Sequence, residues 1–385
     1  MKGNTTMADW EALVKQQLKT EDIDTILRRE NLEDIEVKPY YHASHRDFNL
    51  LPKVEESPHL VALYQENLEE DAYAFLIKGP IVTADKTLFF EDYSTFEAMS
   101  ATTENKLMSL VDIFDEKGNM NLNWGENLLK SPIPRALGVD VALYQNAGAS
   151  IIQQLAIALA KAKDLIEIFG ASVLERLIFK VAVGRQYFFE IAKIRALKLL
   201  FNQLSRAYQQ NNIPYIFAET SLRNKTKADP ENNLIRSTLE LSAGMIGGAD
   251  AVFARDFKVE NSTPWSQEIA FKQSIVLAYE SIINVFEDAA YGSYFVEDMT
   301  QQLATKAWQL FIEIEEKGSY QAMYRAGEIQ KMVYQHAVKE QSWIEQGKIK
   351  LVGANLYPSL DITKDKAHLY REDRLVPVRL SEIYE

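Results

Sequence analysis

From about residue 60 to residue 345 the sequence alternates short apolar runs with longer stretches of helical periodicity. This alternation limits the fold more than any other feature. Runs at 73–77, 87–90, 136–143, 177–183, 215–218 and 249–254 have the length and the β-branched or aromatic content of strands, and 282–286 is a weaker candidate. Helical patterns fill the intervals, among them 151–169, 187–211, 230–244 and 264–279. Strands that alternate with helices build a parallel sheet covered by those helices. Several runs are apolar on both faces, as a doubly covered sheet requires. With at least six strands and no break in the pattern, an α/β fold of the (β/α)8 TIM-barrel type is the simplest single-domain answer. An open doubly wound sheet is the alternative, but no strand-associated G-x-G-x-x-G favours it. The strands at 136–143 and 177–183 are joined through one helix, so they are expected side by side and parallel.

The barrel region, 60–345, has extensions on both sides. Residues 1–59 form an N-terminal helical arm with an apolar stripe of Trp10, Leu13, Val14 and Leu18. An arm of this kind buries little of itself and is expected to give its stripe to a partner. After the last strand come C-terminal helices at about 296–316 and 323–346. A C-terminal extension or linker, 346–385, ends in a segment, 379–385, that reads as a helix beginning. One helix start is clear: Asp229-Pro230-Glu231 offers a capping oxygen, a proline at the first position and an acid at the positive end of the dipole.

Charge and composition remove several functions. The 385 residues carry 42 Lys and Arg against 55 Asp and Glu, a net charge of −13. That balance argues against binding nucleic acid, which needs clustered cations, and against an anionic membrane surface. With no cysteine, disulfides, iron–sulfur clusters and thiol nucleophiles are excluded. The first ten residues have no apolar core of a signal peptide, so a cytoplasmic location is expected. The longest uncharged run, 141–160, holds Gln145, Asn146, Ser150, Gln153 and Gln154 and is no membrane span.

Candidates for chemistry are few. The five histidines are His42, His45, His59, His336 and His368. His42-x-x-His45 has the spacing of a metal pair, but no third ligand stands nearby, so no metal is expected. None of the five follows a strand, where barrel enzymes place catalytic residues. The strand ends carry Tyr144-Gln145-Asn146, Gly184-Arg185-Gln186, Glu219-Thr220-Ser221 with Arg223, and Arg255-Asp256. Either these groups line a polar pocket or they are polar because they meet water. The segment 187–196 is apolar nearly all round, which makes its Glu190, Lys193 and Arg195 ion-paired structural groups.

The run Gly184-Arg185-Gln186-Tyr187-Phe188-Phe189-Glu190-Ile191-Ala192-Lys193-Ile194-Arg195-Ala196 resembles the G-x-x-F-F-x-E-x-A-K-x-R-A of the methylmalonyl-CoA mutases. Ala147-Gly148-Ala149, the segments 229–238 and 290–297, Ala307-Trp308 and, more weakly, Val37-Lys38-Pro39-Tyr40 are similar in the same order. Within this resemblance, Ala142 and Leu143 stand where catalytic chains of the family have the tyrosine and histidine of G-Y-H-M-Q-E-A-G. Ala254 stands at the histidine of S-L-H-T-N. The R-Q-Y-A-G-F and T-I-Q-N-D segments have no counterpart, and the cobalamin motif D-x-H-x-x-G is absent from the sequence. Losing one such donor costs about 10² to 10³ in rate.

The resemblance therefore implies the small, non-catalytic subunit, with no catalytic, cofactor or metal residue of its own. Adenosylcobalamin is then bound by a large subunit, the partner in a heterodimer that interconverts methylmalonyl-CoA and succinyl-CoA in propionate metabolism. A homodimer is the expectation in isolation. Tyr144, Gln145, Arg185 and Arg223 would be a vestigial pocket, and Tyr144, Leu222 and Phe253 would plug the barrel mouth. The alternative is an active barrel enzyme acting on acyl-CoA or another small acid with a different cofactor, its site at Tyr144, Arg185 and Arg223.

Overall fold

The short apolar runs pair edge to edge as parallel strands, because each has a non-polar residue for both faces of a covered sheet. In a computed structural model, residues 6–27, 29–41, 48–81, 85–99, 106–358 and 369–385 are described. The strands are β1 (His59–Leu63), β2 (Ala74–Ile77), β3 (Thr87–Phe90), β4 (Lys106–Ser109), β5 (Leu137–Asp140), β6 (Leu177–Val183), β7 (Tyr215–Thr220) and β8 (Ala251–Phe253). All pair in parallel, in the order β4-β3-β2-β1-β8-β7-β6-β5. The ends of this sheet meet. Met108 bridges Arg135 in parallel, and Gly138 N donates to Val111 O at 2.8 Å. The seam needs a glycine, since a Cβ on residue 138 would lie 2.2 Å from Leu110 O. The fold is a (β/α)8 barrel, and β5 and β6 are parallel neighbours as expected.

The N-terminal arm carries α1 (Met7–Leu18) and α2 (Ile23–Leu27). In the first half of the barrel the helices are short, α3 (Tyr93–Met99) and α4 (Leu122–Lys130). After β5 comes a brief α5 (Ala142–Asn146), followed by the long α6 (Ile151–Phe169), α7 (Tyr187–Ala207), α8 (Glu231–Gly247) and α9 (Pro264–Ile275). The C-terminal helices are α10 (Tyr294–Glu316), α11 (Tyr320–Arg325) and α12 (Glu328–Glu345). Ser150 explains why α6 starts where it does. Its side chain accepts from Gln153 N while Gln153 returns a bond to the Ser150 backbone, a capping box.

Strand alternation divides the core in two. Phe89, Ile178, Tyr215, Phe217 and Phe253 point into the barrel, with Phe89 and Phe217 ring centroids 5.1 Å apart. Leu88, Phe90, Phe179, Val181 and Ile216 face the helices. The barrel is thus filled by side chains rather than open along its axis. Arg195 of α7 is fully buried between the barrel and α10, paired with Asp288 and, at 2.6 Å, with Glu297.

Several expectations need correction. The run 136–143 is a strand only to Asp140, after which the chain turns into α5 and carries Ala142 and Leu143 on a helix. Residues 282–286 form bends and turns, with Ile282, Val285 and Phe286 exposed, because their apolar side chains have no sheet to join. Asp229 does not cap α8. Its carboxylate accepts from the Asn232 side chain instead, and Pro230 takes the cap position. The run 323–346 is broken at Gly327 into α11 and α12, and 379–385 contains only a 3-10 turn, Glu382–Tyr384. Strands β1 and β4 lie outside the runs expected from the sequence. His42, His45 and His368 lie outside the described residues.

Candidate functional site

Barrel enzymes work at the C-terminal ends of their strands, and here the inward positions change character at that end. Two residues beyond the inward Phe89, Ile178, Phe217 and Phe253 lie Glu91, Lys180, Glu219 and Arg255, and two beyond Gly138 lies Asp140. Lys180 sits at the centre of this layer. Its Nζ is 2.5 Å from Glu91, 3.1 Å from Asp140 and 3.7 Å from Glu219. Arg255 Nη2 donates to both Glu219 oxygens, at 2.8 and 2.7 Å. Burial alone would depress the Lys180 ammonium, but Asp140, Glu219 and Glu91 overrule it and hold its pKa above the ordinary lysine value. Burial pushes Asp140 the other way, and Lys180 with Lys161 brings it below the ordinary carboxylate value. Lys161 of α6 also binds Asp112, so the layer is tied to the helices around it.

Beside this layer, under the loops after β5, β6 and β7, is a cavity of about 50 Å³. Gln145, Arg185 and Arg223 line it together with Glu33, Gln154, Glu190, His336 and Glu340. Lys193 of α7 holds two of these lining residues, paired with Glu190 and donating to Gln145 Oε1 at 2.7 Å. Arg223 Nε donates to Glu340 Oε2 at 2.9 Å, while Arg185 Nη2 is 3.7 Å from Glu340. Burial raises Glu340, but the two guanidinium groups outweigh it and hold the carboxyl below its ordinary value. The C-terminal segment crosses this face in extended form. Val378 N donates to Asn146 O, Leu380 N to Arg223 O, and Arg223 Nη1 to Val378 O, at 2.9, 2.8 and 2.7 Å.

The structure thus brings Gln145, Arg185 and Arg223 together but sends Tyr144 elsewhere. Its hydroxyl lies 2.5 Å from that of Tyr320, under α11 and outside the cavity. Leu143 is 38% exposed on α5 and fills nothing, Ala142 is buried, and Ala254 belongs to the layer between strands and helices. Phe253 is inside the barrel, and Leu222 is half-buried on the loop after β7. Sequence reasoning did not single out Glu91, Asp140 and Lys180, nor Glu33 and Glu340. Asp140 and Lys180 had a signal: each is a lone charge inside an otherwise apolar strand. Glu33 had none, since it lies in an acidic connector.

Among the described residues no group of three or more His, Asp or Glu is arranged to hold a metal ion. No described helix is long and apolar enough to cross a membrane. The sequence model of methylmalonyl-CoA mutase matches residues 129–379, which takes in β5 to β8, the cavity lining apart from Leu32, Glu33 and Leu380, and the mouth apart from Glu91. The chain belongs to the methylmalonyl-CoA mutase family. It is 30% identical over 252 residues to the methylmalonyl-CoA mutase small subunit of Porphyromonas gingivalis, 62% of this chain and 41% of that protein. With the small subunit of Propionibacterium freudenreichii it shares 31% over 215 residues, 51% of this chain and 33% of the relative. The methylmalonyl-CoA mutase of Rhizobium meliloti is 28% identical over 239 residues, 58% and 34%. The chain therefore spans 41% or less of the length of these mutases.

Proposed function

We infer that this chain is the catalytically silent, structural subunit of a cobalamin-dependent methylmalonyl-CoA mutase and supports a catalytic large subunit. The observation that carries the reading is the charged layer at the barrel mouth. A thioester entering along the axis would have to part Lys180 from three carboxylates and Arg255 from Glu219. Lys180 and Glu219 are the buried members of this network, and breaking a buried ion pair by removing one partner costs about 3–5 kcal/mol; the inward aromatic side chains beneath leave no lumen to enter. The side cavity offers about 50 Å³, whereas sites for drug-sized ligands occupy roughly 300–1,000 Å³. Adenosylcobalamin does not fit the residues of this mouth. Ala142, Leu143 and Ala254 agree with the reading, because none can donate a hydrogen bond to a thioester or hold an intermediate.

The association half rests on α1. None of its residues is buried, and Leu13 and Leu18 are 52% and 40% exposed. That unburied stripe suits an arm which packs on another subunit, and the relatives named small subunits favour a large subunit as that other chain. The test uses the purified chain alone and mixed with a family large subunit. The chain alone should retain no adenosylcobalamin on gel filtration and turn over no methylmalonyl-CoA, and it should co-elute with the large subunit. Turnover by the chain alone would overturn the reading and favour an active barrel enzyme.

A further inference from the structure

The cavity beside the mouth contains one carboxylate that no arginine or lysine meets among the described residues. Glu340 has Arg223 and Arg185, and Glu190 has Lys193. Glu33, carried in from the N-terminal arm and buried, instead lies on the first turn of α6. Its Oε1 accepts from Ile151 N at 2.8 Å and its Oε2 from Ile152 N at 3.1 Å. Two successive amides on two oxygens of one carboxylate, at the positive end of a 19-residue helix, form a bidentate anion cradle.

Two further groups of the same cavity each have a nitrogen without a close partner. Arg223 is 5% exposed; its guanidinium packs on the Tyr370 ring, with Cζ 5.3 Å from the centroid, and interacts with the Tyr370 hydroxyl, while Nη2 is buried with no close acceptor among the described residues. This nitrogen lies against the loop that opens α6, since a Cβ on Gly148 would come within 2.9 Å of it. His336 Nδ1 meets Gly148 O at 2.6 Å, and its Nε2 is buried without a partner among the described residues. With Nδ1 donating to that carbonyl, Nε2 accepts in the neutral ring and donates in the protonated one. An unused guanidinium nitrogen is costly to bury. Here it lines the same small space as the helix cradle.

We propose that the N-terminus of α6, Arg223 and His336 form a binding site for a small monocarboxylate, and that Glu33 is its resident, displaceable ligand. The arm holds the acid at high effective concentration, so a free carboxylate competes only when the arm lifts or its acid is removed. The size of the site restricts the ligand to the scale of formate or acetate.

The test compares the full chain with its Glu33→Ala variant, adding sodium formate or acetate against sodium chloride at equal ionic strength. Formate should raise the melting temperature of the variant saturably, by on the order of 2 °C, and leave the unmodified chain at its chloride value. With isoleucine amides labelled, formate should shift Ile151 and Ile152 in the variant. Equal effects of formate and chloride, or no shift at those amides, would overturn the proposal. Should Glu33→Ala not fold, Glu33→Gln keeps the volume and removes the charge. Limited proteolysis should then cut the arm faster than in the unmodified chain, and unchanged protection of the arm would count against the site.

Discussion

Lys180 is one ammonium among three carboxylates, with Arg255 on Glu219 and Lys161 near Asp140 to share the load. Replacing it by methionine leaves like charges facing one another in a buried layer, and Lys180→Met is expected to lose about 3–5 kcal/mol. The urea midpoint checks this, and a loss under about 1 kcal/mol would mean that water already screens the layer. Leu143→Ala, on the exposed face of α5, should stay within about 0.5 kcal/mol. Lys198 of α7 makes an opposite case. Only 4% exposed, it is pushed down to about 8 by burial, against the pull of Asp250 and Asp288. The folded chain holds that proton less well than the unfolded chain, so the cost of charging it is fully present below pH 8. It fades as pH rises from about 8 through the ordinary lysine range. Lys198→Met should therefore stabilise the protein at pH 7, by ~1–3 kcal/mol, with an advantage that shrinks in melts above pH 8. At this scale the sequence was only partly legible. Gln145, Arg185 and Arg223 follow strands and could be named from position alone. Lys180 and Asp140 sit inside strands, where a charge is meaningful only once the barrel places it beside its partners. Tyr144 was misjudged because α5 turns it through a helical step towards Tyr320.

Elements were read best where the pattern is long. Helices α6, α7 and α10 span many turns, and their apolar residues recur often enough to fix the period. Strands β1 and β4 have five and four residues with polar ends, His59 and Lys106, which is too little pattern to register. The false strand at 282–286 shows the converse. Apolar content alone cannot say whether a segment has a neighbour to pair with, and Ile282 takes a left-handed turn, φ 53°. Closure of the barrel depends on Gly138. Gly138→Ala would drive a Cβ into Leu110 O, a backbone atom that cannot swing aside, and is expected to cost more than about 3 kcal/mol or to abolish folding. Gly79→Ala, with open space around it, is the control and should change thermal melting little.

For the whole molecule, the exposed stripe of α1 is the feature that a lone chain leaves unexplained. Leu13→Asp combined with Leu18→Asp should leave the melting temperature of the chain alone nearly unchanged, since neither side chain is buried. The pair should weaken co-elution with a mutase large subunit at least tenfold in titration. Equal binding by the double variant would place the contact elsewhere. The uneven clothing of the barrel has a different consequence, one in time rather than in space. Helices α6, α7 and α8, of 19, 21 and 17 residues, all belong to the half built on β5 to β8, while α3 and α4 have only 7 and 9. Local helical contacts form early in folding and long-range strand pairings late. The β5–β8 half is thus the natural nucleus, on which β1 to β4 condense until the seam at Gly138 shuts. Native-state hydrogen exchange should find the slowest amides in β6 and β7, and β2 to β4 should open at lower free energy.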